Sequence, residues 1–276
     1  MPVSHAQPVP RAGVELRWPA SAIWRSDEPA VRNIGLSDLT DALRKGIDDF
    51  RAMPSHALFL VIVYPIIGLL LARVIFGYGA VHLAFPLLAG FALLGPVAAL
   101  GLYELSRRRE SGLEVSAWDA LEVRNSPSIG GIVALGLTLV AIFALWLFTA
   151  EGLYRQIFAG APPQTVSQFI DAVLTTPAGL KLIVIGNLVG LAFALVALAI
   201  SVVSFPMLLD RNVSAATAVR TSIRAVIANP IVMAIWGLIV ALSLLAGAGL
   251  AFVGLAVVLP VLGHATWHLY RKVVAD

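Results

Sequence analysis

Residues 126–150 read SPSIGGIVALGLTLVAIFALWLFTA, twenty-five consecutive positions without a charged side chain. An α-helix rises about 1.5 Å per residue, so about 20 apolar residues cross a hydrocarbon core about 30 Å thick. The stretch therefore predicts a membrane-spanning helix. The whole chain agrees with it: of 276 residues 59% are apolar and 13% charged, and mean hydropathy is +0.90. A soluble domain is typically about 45–50% apolar and about 25% charged. That balance excludes an ordinary soluble enzyme and a largely disordered chain, and the absence of cysteine excludes a disulfide scaffold.

Working outward, four further charge-free intervals appear: 52–72, 74–103, 182–209 and 225–270. The last is too long for one helix, and Ala246-Gly247-Ala248-Gly249 at its centre supplies a flexible turn, so it is expected to hold two spans. The reading is an all-α polytopic membrane bundle of six transmembrane helices, near 56–76, 81–103, 129–149, 182–205, 231–247 and 250–269. A segment at 1–35 is expected to be a flexible cytoplasmic tail, and 36–274 the six-span membrane domain.

Sixteen of the nineteen Lys and Arg fall on one side of that topology: Arg11, Arg17, Arg25, Arg32, Arg44, Lys45 and Arg51; Arg107, Arg108, Arg109 and Arg124; Arg211, Arg220 and Arg224; Arg271 and Lys272. The other side holds Arg155 and Lys181, with Arg73 able to snorkel from the first span. The positive-inside rule then puts both termini in the cytoplasm. The net charge of +3 does not suggest nucleic acid, because the basic residues recur between apolar segments and form no single patch. No cleavable signal peptide is expected in the first 35 residues, which carry five prolines and no apolar core.

Each pair of spans is preceded by a segment that opens on a serine and closes on a proline: Ser37 to Pro54, Ser116 to Pro127, Ser214 to Pro230. The serines are plausible N-caps, and the prolines suit the first turn of the following helix. Leu36, Leu39, Leu43, Ile47 and Phe50 form one apolar stripe, and Val213, Ala216, Val219, Ile223 and Val226 another. This predicts three repeated units, each an amphipathic interfacial helix on the cytoplasmic face followed by a transmembrane hairpin. On the other side Val166, Phe169, Ile170, Val173 and Leu174, after Pro162-Pro163, predict a short surface helix that reads as an amphipathic connector.

The stretches Phe91-Ala-Leu-Leu-Gly95-Pro96, Gly101-Leu-Tyr103-Glu104-Leu-Ser-Arg107-Arg108, Phe205-Pro206-Met-Leu-Leu-Asp210-Arg211, Asn229-Pro230 and Leu259-Pro260-Val-Leu-Gly263-His264-Ala-Thr-Trp267-His268-Leu-Tyr270-Arg271 resemble a family of bacterial six-span integral membrane proteins. That family is classed as a domain of unknown function. The resemblance covers roughly residues 30–274 and implies a helical fold in the inner, or plasma, membrane. It implies no activity, substrate or cofactor.

His264 and His268 stand four apart on one helix face, a spacing able to chelate a metal or face a haem. Glu104 and His268 each lie eight residues beyond a proline, Pro96 and Pro260, and Asp210 ends the fourth span on the same side. Polar groups in a bilayer face the bundle interior, so Glu104, Asp210, His264 and His268 are the candidate substrate-binding cluster. Interfacial packing is favoured at this stage, with metal or haem ligation and a proton or substrate site left open. His82, at the opposite end of its span, cannot join that cluster, and His56 lies at the interface. Gly186 and Gly190 have the spacing of a close helix contact, read as intramolecular ahead of a dimer face. Asn187 between them needs a partner, while Trp18 and Trp24 leave the role of the tail open.

No phosphate-binding glycine loop, His-Glu-x-x-His, Gly-x-Ser-x-Gly or cysteine is present, so no catalytic residue, metal or cofactor is expected and the chain is not expected to be an enzyme. Two functions stay open. One is a non-enzymatic accessory or interaction protein, contacting the lipid bilayer and a membrane-protein partner or a second copy. The alternative is a carrier or channel for a small or lipophilic solute, with prolines at 65, 86, 96, 206 and 260 breaking its spans.

Overall fold

Two of the three predicted caps form. The Ser214 hydroxyl accepts the Thr217 N–H at 3.1 Å, and Ser116 accepts the Trp118 N–H at 3.2 Å while Asp119 accepts the Ser116 N–H at 2.8 Å. Ser37 does not cap: its helix starts one residue earlier, with Gly35 as cap residue, and the Asp38 carboxylate accepts the Gly35 N–H at 2.9 Å.

The computed structural model describes residues 29–53, 68, 81–159, 165–249 and 254–275; these form an all-helical protein with no strands beyond one isolated bridge. The helices are α1 (Leu36–Ala52), α2 (Ala84–Glu110), α3 (Ile129–Ile157), α4 (Val166–Thr175), α5 (Pro177–Asp210), α6 (Ala215–Ala228), α7 (Pro230–Gly249) and α8 (Leu255–Val273). Before α3 the chain takes a 3₁₀ turn over Ala117–Asn125, where the middle repeat unit was expected to begin an amphipathic α-helix. A 3₁₀ helix stacks side chains every third residue and leaves no α-helical stripe.

Among the described residues four helices are long and apolar enough to cross a membrane: α2, α3, α5 and α7. Their outer faces carry large exposed apolar side chains, including Leu137, Phe148, Leu188, Leu238 and Leu245, as surfaces solvated by lipid do. The expected first span at 56–76, apart from residue 68, lies outside the described residues, as do Pro54, Trp18, Trp24 and Pro162-Pro163. The expected sixth span falls on α8, which is not among the four. Its second half carries His264, Thr266, His268, Arg271 and Lys272, and ten of its side chains are buried against protein. The expected turn does not form at 246–249, because α7 stays helical through Gly249.

Prolines shape two of the spans. Around Gly95-Pro96 the helix α2 passes through 3₁₀ geometry at Ala92–Leu94 and a turn at Ala99. In α5 the ladder breaks at Val202 and Val203, four and three residues before Pro206, where a proline has no N–H to offer. The Ser222 hydroxyl of α6 accepts the Val203 N–H at this break at 3.2 Å, so the break also docks α6.

The core gathers around α8. Helix α1 runs along it at very close range: a Cβ placed on Gly46 would sit 2.7 Å from both Cβ and N of Ala265, and 2.8 Å from the Val261 carbonyl oxygen. The buried face of α1 is Leu39, Ala42, Gly46 and Asp49, while Leu36 and Ile47 of the expected stripe are exposed. Helix α6 is rotated likewise, burying Ala218, Thr221, Ser222 and Ala225. In both, small residues face inward because they allow backbones to approach, and branched residues such as Leu43, Val219 and Val226 pack along the margin. Of the segment expected to be a tail, residues 30–34 are held: Arg32 N–H donates to Val273 O at 2.8 Å, Ala275 N–H to Ala30 O at 2.9 Å. The buried Asn229 amide accepts from Ile34 N–H at 2.8 Å and donates to Arg32 O at 3.0 Å.

Candidate functional site

The two histidines sit on one face of α8 as their spacing requires, and both turn toward Asp49 of α1. His268 Nε2 lies 2.9 Å from Asp49 Oδ2, and Ser106 of α2 donates its hydroxyl to the same oxygen at 2.6 Å. Having given its only proton to the carboxylate, Ser106 accepts from His264 Nδ1 at 2.7 Å. The network thus places the His264 proton on Nδ1. Arg109 completes the cluster by pairing with Asp49 Oδ1. Burial opposes ionisation of Asp49, but the hydrogen bonds from His268 and Ser106 outweigh it and hold the carboxyl below the usual carboxylate range.

Helix packing explains why these groups meet. Gly46, one turn before Asp49, brings α1 against α8, and Gly263 brings α2 against it: a Cβ there would lie 2.6 Å from the Leu102 side chain. Ser106, one turn beyond Leu102, then faces His264. Ser106 and His264 have no exposed surface, and Asp49 retains 4%. The cluster therefore joins three helices, with Asp49, Ser106 and His264 shielded between them and Arg109 at its exposed margin.

Glu104 and Asp210 do not join it. Glu104, nearly fully buried, accepts from Arg107 Nε at 2.8 Å and Nη2 at 2.7 Å, and from Arg108 Nε at 2.8 Å. Asp210 accepts from the Tyr270 hydroxyl at 2.6 Å and from Arg271 Nη1 at 3.3 Å. The four predicted residues thus divide among three networks: the histidines on Asp49, Glu104 on the arginines of its own helix, and Asp210 on the end of α8. More pairs knit the same end together. Trp267 Nε1 donates to Glu110 at 2.8 Å, and Lys272 meets Asp41 at 2.9 Å and Asp38 at 3.3 Å. The hydrogen bond and charge of Lys272 hold the Asp41 carboxyl well below its ordinary value, and Asp41 in turn raises Lys272.

Asp49, Ser106 and Arg109 were missed by sequence reasoning, which counted Arg109 for topology alone and gave Asp49 and Ser106 no role. The available signal was an acid in register with the small residues Ala42 and Gly46. At the other end of α3, His82 pairs with Glu151 at 2.5 Å and stacks on the Tyr154 ring at 4.0 Å, apart from the other histidines as expected. Gly190 faces Trp146, 3.2 Å from a built Cβ, so it makes the intramolecular contact anticipated for it. Asn187 donates to the Ile183 carbonyl of its own helix at 2.7 Å. Among the described residues no three His, Cys, Asp or Glu side chains are arranged to hold a metal.

No curated protein and no solved structure matches this chain. One family model does, over the segment that contains α2, the 3₁₀ turn, α3, α4 and α5 with Glu104 and Asp210, while the His264 and His268 motif lies beyond it. Residues 84–210 match the family described as predicted integral membrane protein (DUF2189), a domain of unknown function.

Proposed function

We propose that this integral membrane protein is a non-enzymatic accessory or interaction protein of the bacterial inner membrane, built as six spans in three related hairpins with both termini cytoplasmic. One observation carries the reading: Glu104, Asp210, His264 and His268 all hydrogen-bond within the protein, Glu104 to arginines of its own helix and the other three between helices. A carrier site needs polar groups directed at a solute, whereas here each of the four is hydrogen-bonded to another side chain of the protein. The topology rests on the distribution of Lys and Arg, and the membrane compartment on the family resemblance.

The test is flux in proteoliposomes, alongside partner capture in intact membranes. Reconstituted protein is expected to move no member of a panel of ions, amino acids, sugars and lipophilic cations above empty vesicles. Photo-crosslinkers at exposed Leu188 or Leu238 are expected to capture a defined membrane protein or a second copy. Solute flux abolished by Glu104→Gln would instead establish the carrier. Single cysteines at Arg124 and Ser167, in a chain with none of its own, are expected to label from the cytoplasmic and the opposite side respectively.

A further inference from the structure

Where α6 crosses the ends of α3 and α5, the three helices leave an apolar groove of about 390 Å³ whose walls include Leu135, Thr138, Ile200, Ala216 and Val219, with Arg220 at its edge. Two walls belong to helices able to span a membrane. The third, α6, is amphipathic and presents Ala216, Arg220 and Arg224 on one exposed face at helical spacing. From 211 to 275 the chain has no Asp or Glu; of its cations Arg211 pairs with Asp210, Arg271 with Glu110 and Asp210, and Lys272 with Asp38 and Asp41, while Arg220 and Arg224 lie on the exposed face of α6. Asp210, just before this run, accepts from Tyr270 and Arg271.

We propose that this groove binds an anionic phospholipid, with an acyl chain along α3 and α5 and the headgroup phosphate beside Arg220 and Arg224. An acyl chain lies parallel to spanning helices and matches an apolar cleft between them. Its phosphodiester then falls at the level of an amphipathic helix on the membrane surface, where guanidinium groups pair with phosphate. The charge selects the occupant: a zwitterionic lipid brings no net negative charge, and a second copy of this chain would bring the same arginines to the contact. The inference requires that α3 and α5 cross the bilayer with α6 at its surface. It stands or falls separately from the accessory reading.

The full chain, purified in mild detergent, is mixed with palmitoyl-oleoyl phosphatidylglycerol or with the matching phosphatidylcholine, and retained lipid is read by native mass spectrometry. Phosphatidylglycerol is expected to be retained in preference. Arg220→Gln and Arg224→Gln are each expected to weaken its retention about fivefold, and together to remove the preference. Ala216→Trp, at an exposed position that fills the groove, is expected to lose the lipid with the thermal midpoint unchanged. Equal retention of the two lipids overturns the proposal, as does a preference that survives the double arginine variant. Displacement of the lipid by millimolar inorganic phosphate, or occupation of the groove by a second copy seen as a doubled mass, overturns it as well. The double arginine variant alters only exposed side chains, so it decides the matter even if the tryptophan disturbs folding.

Discussion

Gly46→Ala sets two physical effects against each other with opposite signs. Helix propensity alone favours alanine by about 1 kcal/mol, since glycine in a helix interior loses more backbone entropy. The structure opposes it: the new methyl would lie 2.7 Å from Ala265 N, 2.7 Å from Ala265 Cβ and 2.8 Å from Val261 O. Two of those atoms are backbone of α8, so no rotamer change relieves the clash and the helices must separate. Overpacking of this kind costs about 1–3 kcal/mol, and displacing α1 also lengthens the Asp49 hydrogen bonds one turn away. The net expectation is a loss of about 1–2 kcal/mol, a factor of about 5–30 in the docked population of α1. The assay is labelling of a lone cysteine at the buried Ala42 position, with a helical melt in detergent beside it. In the Gly46→Ala background labelling should quicken by that factor and the midpoint fall by several degrees. Gly186→Ala is the control, because a Cβ there meets nothing within 4 Å; it should be neutral or stabilising by up to about 1 kcal/mol. A higher midpoint and slower labelling for Gly46→Ala would refute the close packing of α1 on α8.

Three other perturbations follow from the same geometry. Asp49→Asn should destabilise by about 2–4 kcal/mol, read by chemical denaturation in micelles, since it strips charge from a buried acceptor shared by Ser106, His268 and Arg109; Ser106→Ala should cost less, about 1–2 kcal/mol. For pH, Asp49 and Asp41 are depressed from 3.8 when folded, so their contribution is complete above about pH 4 and lost as pH falls through the folded values; Lys272 is raised from 10.5, so its share is complete below about pH 10 and lost as pH rises further. The thermal midpoint should drop below the acid limit and above the basic one, and Asp49→Asn should flatten the acid limb; an acid limb unchanged by that variant would count against the network. Asn229→Ala should free the 30–34 segment, speeding amide exchange at Arg32 and Ile34 by about tenfold or more, because the Ile34 N–H loses its acceptor.

Much of the membrane architecture was legible before any coordinates. Long charge-free intervals report spans because an unpaired charge in hydrocarbon is costly, and α2, α3, α5 and α7 lie where those intervals are. Capping serines such as Ser116 and Ser214 were equally readable, since a cap is a contact within four residues. The faces of the amphipathic helices were not. The apolar stripe expected at the membrane surface includes Leu36 and Ile47, and it left unread that α1 packs on α8 through Leu39, Ala42, Gly46 and Asp49. In a tight helix pair small size governs the interface, and size says nothing about which partner will come close.

The candidate site divides in the same way. That His264 and His268 share a face follows from 3.6 residues per turn, and that Glu104 meets Arg107 and Arg108 follows from i, i+3 and i, i+4 spacing. These are properties of one helix, and the sequence by itself determined them, together with the apolar spans and the charge asymmetry between their ends. The packing of the helices alone sets that His268 meets Asp49 directly and His264 through Ser106, that Asp210 turns to Tyr270, and that α1 lies along α8. Those contacts join residues 57 to 219 positions apart. They depend on how closely backbones approach at Gly46 and Gly263, a quantity set by the packing of two surfaces and encoded in neither alone.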